Sequence, residues 1–254
     1  MAKTLSSGAR LALYETLDST NAEARRRAAA GERGPLWIVA IEQIAGYGRR
    51  GAPWKQSAGD VAATLLFAPA APVETLGQLS FVAALAVAET IADLARRARV
   101  ELKWPNDVLL GGGKIAGILL ELIDATAGAP LVALGVGVNI VSRPEADYPT
   151  ARLIDALMGE PSPSPQDVVA RLDAAVDQWL RRWRGEGFSP VRSAWLEKAV
   201  GLGGEITVRL PGETIEGVFR DLDPTGALVL ECEGRRRLIS AGAVFPARAP
   251  RQGA

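Results

Sequence analysis

VLLGGGKIAGILLELIDA, residues 108–125, sets three glycines between two apolar, strand-forming segments. Glycines between branched apolar runs read as a β-hairpin, and the second run is apolar enough for a central strand. Working outward, LALYET (11–16), LWIVAIE (36–42), VAATLLFAP (61–69) and LVALGVGVNI (131–140) also read as strands. Two helices separate them. One is NAEARRRAAAG, with Ser19 or Thr20 as N-cap and Gly31 as its end; the other covers about 77–98. Strands that cluster in hairpins, without regular alternation with helices, predict an α+β fold with a mixed, largely antiparallel sheet.

Two more helices follow, over 165–184 and 189–200. Trp179 and Trp183 are spaced i, i+4, so they share a face of the first and pack in the core. After GLGG (201–204) the pattern changes to short strands: EITVRL, ETIEGVFRDLD, GALVLEC and RRRLIS. This predicts a larger domain over 1–200 and a small β-barrel over 201–254. Arg235–Arg237 form a solvated strand edge, and the final ARAPRQGA is expected to be disordered.

The 254 residues include 29 acidic and 29 basic side chains, so no global field attracts nucleic acid or an anionic membrane. Any cationic function is local. The single Cys232 excludes an internal disulfide, and the absence of histidine excludes Ser-His-Asp triads and histidine zinc sites. MAKTLSSGAR has no hydrophobic core of a signal peptide. Glu89 and Asp93 interrupt the apolar run 81–95, which is too short to span a bilayer. A soluble, cytoplasmic protein is expected.

GYGRRG (46–51) matches the dinucleotide fingerprint literally, but APWKQSAG follows in place of the helix that must receive a pyrophosphate. GGGK (111–114) lacks the Ser or Thr of a phosphate-binding P-loop, since Ile115 stands there. What remains is a glycine-rich loop able to fold closely over a ligand. Arg49 and Arg50 offer forked donors for phosphate or carboxylate, and Trp54 offers a flat ring face. KWPND (103–107) adds Lys103, Asn106 and Asp107 on a tight turn; Asp107 could hold Mg²⁺ or orient a cation, and Lys114 could reach a phosphate. GVGVN (135–139) permits close approach of a ligand and ends on Asn139, whereas DSTN (18–21) alone is an ordinary helix cap.

Taken together, DSTN, QIAGYGRRGAPW (43–54), KWPND with GKIAGILLE (103–121) and GVGVNI (135–140) resemble, in order and spacing, the signatures of the biotin protein ligases. The resemblance covers about residues 10–248. It implies a catalytic domain similar to class II aminoacyl-tRNA synthetases and an SH3-like C-terminal domain. It implies that biotin and MgATP give biotinyl-5′-AMP, which biotinylates a lysine on a carrier domain of a biotin-dependent carboxylase. By motif, Ser19, Thr20 and Gln43 would bind biotin, with Gly46, the Tyr47 backbone and Gly117 lining its site. Arg49 and Lys114 would stabilise charge on the carboxylate and α-phosphate. Arg50, Trp54, Asn106 and Asn139 would complete the ATP site, and Asp107 would orient the incoming lysine or a metal.

The chemistry suits a chain without histidine. Deprotonating a free lysine at pH 7 costs about 4.6 kcal/mol, and an acyl-adenylate is already activated. Two departures stand out: Tyr47 replaces the arginine of many family members, and Ala52-Pro53 replaces a more basic pair. Both bear on how the loop orders and retains the intermediate. Some relatives carry an N-terminal DNA-binding domain; about ten residues precede the first strand here, so no DNA binding is expected. A homodimer paired through sheet edges is compatible with the sequence. The competing readings are a lipoate ligase, whose substrate needs no polar ureido partners, and a non-catalytic biotin or nucleotide sensor.

Overall fold

The computed structural model describes residues 3–126 and 129–246. Its larger sheet has eight strands: β1 (Lys3–Thr4), β2 (Arg10–Leu17), β3 (Leu36–Gln43), β4 (Val61–Phe67), β5 (Val100–Lys103), β6 (Asp107–Leu110), β7 (Gly113–Asp124) and β8 (Leu131–Val138). Their order is β1-β2-β3-β4-β8-β7-β6-β5. Only β2 and β3 run parallel, joined through helix α1 (Thr20–Ala29); every other pairing is antiparallel. The hairpin read at 108–125 is β6 and β7, turning through Gly111 and Gly112, both at positive φ.

The sheet is covered on both faces, which explains why β4 is buried at all seven positions. One face packs Val61, Ala63 and Leu65 against α2 (Leu79–Leu94), α3 (Pro165–Glu186) and α4 (Phe188–Glu197). The other packs Ile38, Leu66 and Ala133 against α1. Trp179 and Trp183 are buried in the first layer, and their indoles donate to Glu89 and Gln78. A smaller five-stranded sheet contains β9 (Glu205–Leu210), β10 (Glu213–Leu222), β11 (Leu228–Cys232), β12 (Arg235–Ile239) and β13 (Ala243–Pro246), in the order β12-β11-β10-β9-β13. Arg235–Arg237 lie exposed on its edge strand β12.

Several details differ from the sequence reading. The long second helix is a 3₁₀ segment (Val73–Gln78) continued by α2. Together they are apolar and long enough to cross a membrane, but 72% of the most apolar window is buried inside the protein. Ser19 occupies the N-cap position of α1 without a side-chain cap hydrogen bond. Strands β1, β5 and β13 have no counterpart in the reading; they are two to four residues long, and β5 carries charges at Glu101 and Lys103. The terminal ARAPRQGA lies outside the described residues.

One buried carboxylate ties the loop between β3 and β4 to the end of β8. Asp60 is 2% exposed and accepts from the amides of Ile140, Val141 and Ser142 at 2.8, 2.8 and 3.1 Å, and from Ser57 N at 3.1 Å. Removing it would leave these donors unpaired in the interior. Asp60→Ala is therefore expected to lower stability by about 3 kcal/mol, measured by urea unfolding at neutral pH.

Candidate active site

The α1 face of the sheet is apolar beneath the helix and becomes a floor of small residues beyond the helix N-terminus. Register aligns Ala62 with Gly137 and Gly137 with Gly117, a row across β4, β8 and β7. The adjacent row is Thr64, Gly135 and Leu119. Gly135 and Gly137 share this face because strand side chains alternate. Neither position has room for a methyl group. A Cβ at Gly135 would stand 2.4 Å from Asn21 Oδ1, and one at Gly137 would stand 2.4 Å from the Trp54 ring.

One wall is polar. Ser19, Thr20 and Asn21 are 3–4% exposed and reach the cleft from the start of α1. Gln43 Oε1, at the end of β3, accepts from Thr20 N at 2.8 Å and Thr20 Oγ1 at 3.1 Å. With its oxygen engaged, Gln43 offers its amide nitrogen to a ligand. Thr64 Oγ1 donates to Asn21 Oδ1 at 2.6 Å and lies 2.8 Å from Thr20 Oγ1. The wall is thus a connected set of hydrogen bonds held in place before any ligand arrives.

The glycine-rich loop folds back over the floor. Trp54 N donates to Gly46 O at 2.9 Å, Gly48 N to Ala52 O at 2.7 Å, and Tyr47 bridges Pro53. Arg49–Gly51 make a single 3₁₀ turn at the tip, with Arg50 exposed at φ 57°. Gly46 packs against Gln43 and the Trp54 carbonyl, where a Cβ would meet both at 2.8 Å. Side chains cannot reach this close without shifting the backbone, so the loop needs glycine there.

The opposite wall is cationic. Arg49, Arg50, Lys103 and Lys114 line the cleft, and Asp107 is the one carboxylate among its lining residues. Asp107 bonds Lys114 Nζ at 2.7 Å and faces Lys103 Nζ at 3.8 Å. Burial pushes Lys103 below the usual lysine range; Asp107 opposes that shift and Lys114 reinforces it. Burial likewise lowers Arg49, with the Arg50 charge adding to it and Asp107 opposing. Arg49 Nη1 is 3.4 Å from both Asn106 Oδ1 and Gly242 O, so the smaller sheet closes one end of the cleft. Lys114 Nζ sits 5.8 Å from the Trp54 ring centre and 5.5 Å from that of Tyr148. A half-buried surplus of cations between aromatic faces suits an anionic ligand with a flat ring.

Most residues singled out by motif converge here: Ser19, Thr20, Gln43, Tyr47, Arg49, Arg50, Trp54, Asn106, Asp107, Lys114 and Gly117 all line the cleft. Asn139, expected at the nucleotide, stands apart from this lining. It is 3% exposed, and its amide donates to Ala151 O at 3.1 Å and Lys114 O at 3.5 Å. Its place in the structure is behind Lys114, fixing that backbone. Asp107 is also a poor seat for a metal, since its two oxygens face ammonium groups. Among the described residues no three His, Cys, Asp or Glu side chains cluster as a metal site. Sequence reasoning named Lys103 within KWPND without giving it a role, and missed Asn21, Tyr148 and Gly242–Val244 as cleft residues. Lys103 carried a signal, as a charge inside a motif already singled out. Asn21 reads as a helix cap, and Gly242–Val244 lie more than a hundred residues away on the other sheet.

Residues 13–139 match the model of the biotin/lipoate A/B protein ligase family, and 201–245 match the biotin protein ligase C-terminal domain. A biotin–acetyl-CoA-carboxylase ligase of Paracoccus denitrificans is 41% identical over 90% of this chain and 97% of that protein. One of Mycobacterium tuberculosis is 35% identical over 91% of this chain and 86% of its own length. Among solved structures, a biotin protein ligase from Aquifex aeolicus in complex with biotin and ATP has the same fold. Its TM-score is 0.77 at 24% identity, covering 92% of this chain and 97% of that one.

The glycine floor makes a direct prediction. Gly137→Ala should drive the Trp54 indole off the sheet, raising acrylamide quenching of tryptophan fluorescence; the same substitution in a Trp54→Phe background should leave quenching unchanged.

Proposed function

The chain belongs to the biotin/lipoate A/B protein ligase family, and we propose that the cleft of Arg49 and Lys114 serves both half-reactions of a biotin protein ligase. The enzyme activates biotin with ATP as biotinyl-5′-AMP and transfers the biotinyl group to a lysine of a carboxylase carrier domain. The observation that carries this assignment is four cations facing one carboxylate beside a preformed polar wall. Biotin presents a polar ureido ring at one end and a carboxylate at the other. The wall of Ser19, Thr20 and Gln43 suits the first, and the cations suit the second. A lipoate tail ends in an apolar dithiolane, which would leave this wall unpaired at a cost in binding.

In the first half-reaction a biotin carboxylate oxygen attacks the α-phosphorus and pyrophosphate leaves. Arg49 and Lys114 stabilise the charge that gathers on the carboxylate and α-phosphate, and Asn106 steadies Arg49. Arg50, exposed at the loop tip, meets the outer phosphates. Trp54 supplies a ring face for the adenine. Magnesium accompanies ATP, and the paired carboxylate of Asp107 does not fit as its seat.

In the second half-reaction the carrier lysine, as free amine, attacks the acyl carbon and AMP leaves. Asp107 can accept a hydrogen bond from the incoming amine and so orients it, while the cations gathered around Asp107 disfavour the lysine's ammonium form and favour the free amine that attacks. The proposed catalytic unit is residues 1–200, with residues 201–254 as the SH3-like C-terminal unit whose Gly242–Val244 wall one end of the site. Balanced charge supplies no general attraction for a nucleic acid, and the proposed macromolecular partner is the carrier domain.

Incubation of the protein with MgATP and biotin should yield biotinyl-5′-AMP by mass spectrometry, while lipoate in parallel yields none. An adenylate from lipoate alone would move the assignment to the sister activity. Arg49→Ala is expected to slow adenylate formation about 100-fold or more, with a smaller loss of biotin affinity by calorimetry. Asp107→Asn should slow transfer to a carrier domain about tenfold or more in single-turnover assays started from enzyme-bound adenylate; an undiminished rate would remove Asp107 from the mechanism.

A further inference from the structure

The glycine-rich loop is held to the body of the fold by a side chain that the ligase reading does not use. Tyr47 OH lies 3.2 Å from Glu121 Oε2. Glu121 sits in β7 between Leu120 and Leu122, and its side chain is 16% exposed. Asn21 Nδ2 donates to the same oxygen at 2.7 Å, and the Arg25 guanidinium pairs with the other. One carboxylate therefore gathers donors from the loop and from two successive turns of α1.

We propose that Tyr47 is a positioning residue that latches the glycine-rich loop closed through Glu121 and so slows release of the acyl-adenylate. The inference rests on the ligase reading for the identity of what is retained. The geometry explains how one hydroxyl can hold a whole loop. The backbone bonds between Gly46 and Trp54 and between Gly48 and Ala52 make residues 46–54 one unit. Pinning Tyr47 also fixes Arg49, two residues on, and the Trp54 ring on its glycine floor. Here the loop contributes a neutral donor, and Arg25 on α1 contributes the positive charge that balances Glu121.

The latch also joins the substrate wall. Asn21, which donates to Glu121, accepts from Thr64, and Thr64 in turn meets Thr20. Thr20 contacts Gln43. A single hydrogen-bonded chain thus runs from the loop to the residues assigned to the ureido ring, so occupancy of one end steadies the other. Burial first, and the Glu121 charge second, raise the Tyr47 phenol above its ordinary range, which keeps it protonated and donating at neutral pH.

The test uses Tyr47→Phe, which keeps the ring and its packing, and Glu121→Gln, which keeps the shape. Each protein is loaded with labelled biotin and MgATP, then chased with excess unlabelled biotin. In parallel, hydrogen exchange is followed at the amides of residues 46–54 in the ligand-free protein. Tyr47→Phe should release adenylate about tenfold faster and exchange these amides faster, as loss of a charge-assisted hydrogen bond predicts. Adding Glu121→Gln to Tyr47→Phe should change loop exchange and release little further, because Glu121 acts on the loop through the Tyr47 hydroxyl. Unchanged release together with unchanged exchange would overturn the latch. If the unsubstituted protein forms no adenylate, the ligase reading and the retention role fail together. Loop exchange then shows separately whether Tyr47 closes the loop.

Discussion

A row of residues without bulk, Ala62–Gly137–Gly117, crosses three paired strands and sets the terms for the rest of the site. A sheet face in a folded domain normally fills with branched side chains that meet a covering helix, and this one does so beneath α1. Past the helix N-terminus the same face loses its side chains, so something else must lie on it. In the structure the Trp54 indole does so, at a distance that excludes even a methyl group on Gly137. The hairpin order of the strands matters because it brings β4, β8 and β7 side by side, although their floor residues come from three separate stretches of chain.

Charge is the second constraint, and it acts through the first. The floor is apolar and the walls are partly buried, so Arg49 and Lys103 lose part of their solvation by water. Asp107 compensates in part through its pair with Lys114. The remaining positive charge is left for an incoming carboxylate and phosphate. A low-dielectric site of this kind makes each such contact worth more than it would be at the surface. The loop that carries Arg49 also carries Trp54, so closing it sets a cation and a ring face in position together. The smaller sheet takes part as well, through Gly242 O beside Arg49 and Phe245 beneath the Lys103 ammonium at 5.2 Å.

Much of this was legible in the chain. Three glycines between apolar runs specify the β6–β7 hairpin, and glycines two residues apart in GVGVN place both on one face. Four motifs in order point to a ligase and gather most of the cleft. Other features were hidden for a physical reason: they are contacts between distant elements. Thr64 is one polar residue in an apolar strand, Asn21 looks like a helix cap, and Glu121 looks like a solvated break in β7. They become a network only when α1 crosses over β4, β8 and β7. Asn139 shows the converse. Its motif suggests a ligand contact, but the turn held by Asp60 points its amide at the backbone behind Lys114. The short strands β1, β5 and β13 carry too few residues for alternation to appear, and their pairing partners determine them.

In the proposed reading one cleft holds the ureido ring at Thr20 and Gln43 and the reacting phosphate at Arg49 and Lys114. A crystal structure with a non-hydrolysable biotinyl-adenylate analogue tests it most directly. The analogue's phosphate is expected within hydrogen-bond distance of Arg49 and Lys114, with its ureido ring on the wall of Thr20 and Gln43. An analogue bound elsewhere, such as the arginine-lined crevice of Arg96, Arg97 and Arg171, or bound here with its phosphate turned away from both cations, would contradict it.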